Sequence, residues 1–145
     1  MSEEVNLQLV HDAFAAINAR DLDAYCSILE DDYVWDNDAF PAPVRGRDGV
    51  RQAFAMYFTA FPDLKVELEQ VISNPAGDLV VNTWRATGTH QGDFAGIAPT
   101  QRSVETRGCT VSQMRNGRIV KSTTYTDQLA LIRQLTEVPK AASAD

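Results

Sequence analysis

With two cysteines and two histidines in 145 residues, this chain is poor in the side chains that build disulfide frameworks and metal centres. Cys26 and Cys109 stand alone, with no CxxC pair, so buried free thiols in a reducing compartment are expected. His11 and His90 fall on different elements without HxxxH or HExxH spacing, and no metal is expected. Basic residues are outnumbered 13 to 20 and nowhere form a run, which argues against nucleic acid or an anionic membrane as partner. No apolar run approaches the roughly 20 residues of a spanning helix, and MSEEVNLQLV is acidic where a secretory signal would be basic and then apolar; a cytoplasmic protein is expected. GxSxG, GxGxxG and Walker loops are also missing, and with them the signatures of a serine hydrolase, a dinucleotide cofactor and a bound nucleotide. What remains is acid and base chemistry in an apolar pocket.

The length suits one domain, taken as residues 1–138 with a frayed tail over 139–145. Leu9, Val10, Ala13, Phe14 and Ile17 recur at three and four, the stripe of an amphipathic helix over Val5 to Ala19. Asp21 is placed to cap a second helix, DLDAYCSILE. Tyr33 to Asn37 reads as a short strand with Tyr33, Trp35 and Asn37 on one face. After the loop DAFPAPVRGRDG, Asp48 is placed to cap the helix GVRQAFAMYFTAF, in which Phe54, Tyr57, Phe58 and Phe61 spread too widely for one stripe. The pattern then changes period. KVELEQVIS alternates with a slip between Leu68 and Val71 that suggests a bulge, NPAGD is a hairpin loop, and LVVNTWRATGTH, SVETRGCTVSQM and RIVKSTTYTD are long strands, the last two joined at Asn116-Gly117. QLALIRQL closes the chain as a helix. Three helices around one strand, followed by a run of antiparallel strands, predict an α+β fold with helices covering one face of a curved sheet.

The stretch Trp84 to Arg102 reads as a pocket mouth. Gly88, Gly92 and Gly96 allow turns and close approach, Phe94, Ile97 and Pro99 add apolar contacts, and His90 can give or take a proton near neutral pH. His90 then either stabilises a developing oxyanion or simply bonds a backbone group. Asp127, between the last strand and the closing helix, either caps that helix or serves as a proton shuttle. It shares strand parity with Ile119, Thr123 and Tyr125, and if that face looks inward its carboxyl is desolvated and its pKa rises. Trp35, Trp84, Phe54, Tyr57, Phe94 and Tyr125 are candidate walls for a flat ligand, and Asn37 a candidate donor; ordinary core packing would use the same residues.

The segments FPDL, GTHQGDFAGIAPT, NGRIV and YTDQLALIRQL, spread over most of the chain up to Gln134, resemble the SnoaL-like polyketide cyclase family of the nuclear transport factor 2-like superfamily. The resemblance implies a cone-shaped α+β barrel with a deep cavity open at one end, and a homodimer or homotetramer. It also implies a small apolar or aromatic polyketide-like substrate, and an intramolecular aldol condensation using neither metal nor organic cofactor. Asp127 matches the family's acid and base aspartate at the end of the last strand, and His90 the histidine of its GTH motif. Gln101 stands where relatives often carry glycine, and Thr123 where they carry tryptophan, so the cavity is expected to differ in shape. Two rivals stay open: epoxide hydrolysis, against which Arg85 alternates away from the face of His90, and a non-catalytic binding or assembly module.

Overall fold

The computed structural model describes residues 3–137; the tail expected over 139–145 lies outside them. The first apolar stripe becomes α1 (Glu3–Asn18), which buries Val10, Ala13, Ala16 and Ile17. Asp21 caps α2 (Leu22–Ser27), its carboxylate accepting from the Ala24 N–H at 3.0 Å. Strand β1 (Leu29–Asn37) begins earlier than Tyr33, and a two-residue β2 (Val44–Arg45) forms within the loop that follows. Helix α3 (Gly46–Ala60) starts ahead of Asp48, with Arg45 at its N-cap making no side-chain cap bond. Asp48 therefore lies in the first turn, where its charge meets the positive end of the helix dipole instead of closing it as a cap.

Strands β3 (Lys65–Ser73), β4 (Leu79–Thr89), β5 (Ser103–Arg115) and β6 (Arg118–Thr126) follow, and α4 (Gln128–Thr136) closes the described chain. The sheet has six strands in the order β2-β1-β6-β5-β4-β3. All neighbours are antiparallel except β1 and β6, which run parallel, so the first strand is brought beside the last. The slip seen in the alternation is a register shift between Leu68 and Gln70. Asn116 and Gly117 both take left-handed backbone, with φ of 52° and 75°, as the tight β5–β6 hairpin requires. The result is a curved, unclosed sheet with α1 packed on β3 and α3 on β1, the cone-shaped α+β architecture expected.

Two apolar clusters form. The larger one gathers α1, α2, α3 and the concave side of the sheet around Tyr33, Trp35 and Phe54. A smaller one, with Phe61, Phe94, Val104, Leu131 and Leu135, sits where α4 and the 91–102 loop meet the end of α3. That loop is seated on the last carbonyls of α3: the amides of Gln91 and Gly92 both donate to the Ala60 carbonyl, at 2.9 and 3.1 Å, satisfying a group the helix leaves open. Gly92 approaches so closely that a Cβ there would lie 2.3 Å from the Thr59 carbonyl oxygen. Replacing it with alanine requires one backbone to retreat from the other. Gly92→Ala is expected to lower the urea midpoint at unchanged m, a loss of about 1–3 kcal/mol; an unchanged midpoint would show that the loop is not held by this seat.

Candidate functional site

Between the helices and the concave sheet lies a cavity of about 170 Å³, open to solvent at its mouth. Its walls follow from strand alternation: Tyr33, Trp35 and Asn37 face it from β1, and Asn82, Trp84 and Ala86 from β4. Thr110 and Ser112 of β5 and Ser122 and Thr124 of β6 complete the sheet side. Aromatic rings make the helix side continuous. Phe54 stacks on Trp35 at 5.5 Å with the planes 13° apart, and meets Tyr25 edge-on at 5.5 Å. Phe58, which the stripe could not accommodate, turns aside to lie under the Arg20 guanidinium, 4.3 Å from its ring centre.

Polar groups in this wall are joined to one another. Trp35 Nε1–H donates to Thr124 Oγ1 at 2.9 Å, Trp84 Nε1–H donates to Thr110 Oγ1 at 3.0 Å, and the two threonine hydroxyls bond each other at 2.9 Å. The line crosses four neighbouring strands. Trp84 can lie flat on β5 because the residue facing it is Gly108, where a Cβ would come within 2.2 Å of the indole. Deeper in, the hydroxyls of Ser112 and Ser122 bond at 2.8 Å.

Among the described residues the cavity lining contains no Asp, Glu, His, Lys or Arg. Its ionisable groups are tyrosines. Burial pushes Tyr33 up to about 12, the bonds from Ser122 and Tyr25 only partly opposing it; burial alone raises Tyr57 to about 12, and burial first, then Tyr33, holds Tyr25 well above its usual value. At neutral pH these phenols are hydrogen-bond donors and not bases. Among the described residues no three His, Cys, Asp or Glu gather as a metal would need, and both cysteines are free, Cys26 buried and Cys109 half-buried.

Of the residues singled out from the sequence, Trp35, Asn37, Phe54, Tyr57 and Trp84 meet in this cavity. Phe94 is buried in the smaller cluster, against Tyr57 and Phe61. His90 is 0% exposed and absent from the lining; its ring packs on Phe61, and Nδ1 accepts from the Thr100 N–H at 3.2 Å with the Thr100 hydroxyl at 3.0 Å. With Nδ1 an acceptor, the proton of the neutral ring belongs on Nε2, which is buried without a partner among the described residues. His90 thus pins the far end of the loop, helped by its backbone bonds to Gln101 and Arg102.

Tyr125 is 56% exposed, and Asp127 is exposed too, its carboxylate accepting the Ala130 N–H at 2.9 Å as the N-cap of α4. The inward parity expected for them is corrected by one extra residue. Gln113 pairs with Lys121 but the next residue, Met114, pairs with Ile119, so Val120 is bulged and the faces exchange. Ile119 points inward before the bulge; Ser122, Thr124 and Thr126 do so after it, leaving Thr123 and Tyr125 outside. Arg85 pairs with Glu69 at 3.2 Å, away from the lining. Asn82, Thr110 and Thr124 were not singled out from the sequence, although Asn82 shares parity with Trp84 and so could have been.

The raised tyrosines couple stability to alkaline pH. Tyr33 is 1% exposed and keeps its proton to about 12 when folded, against about 10 when unfolded, so its contribution is whole below pH ~10 and is lost as pH rises through 12, about 2–3 kcal/mol in all. Urea unfolding from pH 8 upward is expected to show a stability decline beginning near pH ~10 that is shallower in Tyr33→Phe; equal slopes would contradict the burial assigned to this phenol.

The model of the SnoaL-like polyketide cyclase family matches residues 7–135. No curated protein matches the sequence significantly. Among solved structures, a candidate SnoaL-like polyketide cyclase from Jannaschia sp. CCS1 superposes with a TM-score of 0.84 at 24% identity, covering 94% of each chain. IdmH, a candidate polyketide cyclase from Streptomyces antibioticus, is 28% identical with a TM-score of 0.78, covering 90% of this chain and 97% of its own. AclR, a candidate hydroxylase from Streptomyces galilaeus, gives 0.82 at 24% identity over 95% of this chain and 100% of its own. With the cone, the cavity and a family match running from α1 into α4, the chain belongs to the SnoaL-like polyketide cyclase family.

Proposed function

We propose that this protein closes or rearranges a ring of an apolar, polyketide-like substrate by proton transfer, the substrate lying between the Trp35–Phe54 stack and Trp84. Family membership supports a general cyclase or isomerase role and a small polyketide-like ligand. The observation that carries the finer reading is the lining: large aromatic faces, a few fixed hydroxyls and amides, and no charged side chain among the described residues. Such a wall favours a neutral polycycle over a charged metabolite, because a charge would be desolvated there without a partner. It also lacks a base of its own.

Asp127 is the candidate to supply one. It stands between Thr126 and Gln128, both of which line the cavity, so a substrate reaching the mouth could meet the carboxylate oxygen that is not holding Ala130. In this reading Asp127 removes a proton from a carbon between two electron-withdrawing groups, the substrate's own conjugation carries most of the resulting charge, and the proton returns to the new alkoxide as the ring closes. Tyr57, whose hydroxyl has burial as the sole cause of its raised pKa, is the donor closest in character to an oxyanion partner. His90 acts by holding the loop, as a positioning residue.

Asparagine caps helices about as well as aspartate, which separates the two roles of Asp127. Asp127→Asn is expected to leave the thermal midpoint and ligand binding unchanged while lowering turnover of an enolisable polycyclic polyketide ester by about 10²–10⁴. Turnover equal to wild type would remove Asp127 from the chemistry. Binding without turnover in the wild type would favour the other reading that the uncharged lining supports, a non-catalytic ligand-binding domain.

A further inference from the structure

One buried polar group in the cavity is left unanswered by the fold. Asn82 is 3% exposed, lines the cavity, and its Oδ1 has no hydrogen-bond partner among the described residues. A buried carbonyl oxygen without a donor is costly, and an apolar side chain of the same shape would avoid that cost. Its neighbours are fixed by register. Asn82 pairs across the sheet with Thr110, Thr110 with Thr124, and Thr124 with Asn37, so four polar residues form one row across an otherwise apolar wall.

Counting protons along the row gives its chemistry. Each threonine oxygen already accepts an indole N–H, Thr124 from Trp35 and Thr110 from Trp84. The two hydroxyls share one bond, which uses one of their two hydrogens. One hydroxyl hydrogen is therefore left to donate, and when Thr124 gives the shared bond it is that of Thr110, the residue paired with Asn82, whose amide oxygen is left to accept. The row offers one donor and one acceptor together.

We infer that Asn82 and the Thr110–Thr124 pair form a subsite for a ring hydroxyl, phenolic or enolic, of the ligand held in the cavity, Asn82 being the residue that determines specificity for it. A hydroxyl donates to Asn82 Oδ1 and accepts from the free threonine hydrogen. A bare carbonyl leaves the amide oxygen unmet, and a carboxylate or ammonium finds no opposite charge in the lining. This inference rests on the cavity being the ligand site, and adds which substituent the ligand carries and where it docks.

The test is a matched ligand pair, 2-naphthol and 2-methoxynaphthalene, titrated into the full chain with tryptophan fluorescence as readout. The methoxy compound keeps the ring and the acceptor oxygen, loses the donor hydrogen, and is the more apolar, so a merely apolar cavity binds it at least as well. The subsite predicts the opposite order: wild type prefers 2-naphthol about tenfold to a hundredfold, and Asn82→Leu abolishes the preference while still binding 2-methoxynaphthalene. Asn82→Leu without ligand is further expected to be at least as stable as wild type, since it removes an unmet amide. Equal wild-type affinity for the two ligands would overturn the subsite and leave the cavity as a ligand site. Binding of neither would overturn both. The wild-type comparison decides the matter if the leucine variant does not fold, and a large loss of stability in a folded Asn82→Leu would show that the amide is already partnered, which also overturns it.

Discussion

The hydrogen-bonded line Trp35–Thr124–Thr110–Trp84 is the constraint on which the interior depends. It ties β1, β6, β5 and β4 together from the inside, and it fixes two indoles whose rings would otherwise fill the space between helices and sheet. Trp35 is held upright against Phe54, and Trp84 is laid onto the bare backbone of Gly108. A valine at either threonine would leave an indole N–H buried without an acceptor, so the threonines are chosen for their oxygens and not for their methyls. The cavity stays open because its largest side chains are tied to its walls.

An open apolar cavity lowers stability relative to a filled one, and a buried unpartnered amide lowers it further. Both features lie on the same concave face, whose apolar lining is shared with the larger cluster. In the proposed function that distribution is the physical form of a binding site: the helices, the loop seated on Ala60 and the α4 cap frame a concave face whose unmet groups a ligand would complete. The sole ionisable groups of the lining, among the described residues, are tyrosines held in their protonated form, so the interior offers hydrogen-bond donors and no base.

Much of this was legible in the sequence where a local pattern had one structural meaning. The α1 stripe, the Asp21 cap, the slip after Leu68 and the Asn116-Gly117 turn all appear as the spacing implies. Alternation also brought Trp35, Asn37 and Trp84 to one face. Alternation misleads where a single residue changes the parity: the bulge at Val120 carries no Gly or Pro to announce it, so parity with the inward Ile119 alone would put Tyr125 and Asp127 on the face that Ser122, Thr124 and Thr126 occupy. Nor does a local pattern show that His90 is enclosed, since its ring packs on Phe61, brought in from the end of α3, while the loop folds Thr100 back onto it. Asn82 was hidden for a similar reason, because the meaning of a polar residue in a strand depends on whether its neighbours across the sheet answer it.

The chain has two tryptophans, and both form the cavity wall, so their indole N–H resonances report directly on its occupancy. The most direct measurement is a titration of ¹⁵N-labelled protein with a polycyclic aromatic polyketide ester, following both indole signals and their intermolecular contacts to the ligand. The account predicts that both signals move together and saturate, with ligand protons in contact with Trp35 and Trp84. Indole signals that stay fixed while the ligand binds elsewhere would contradict it.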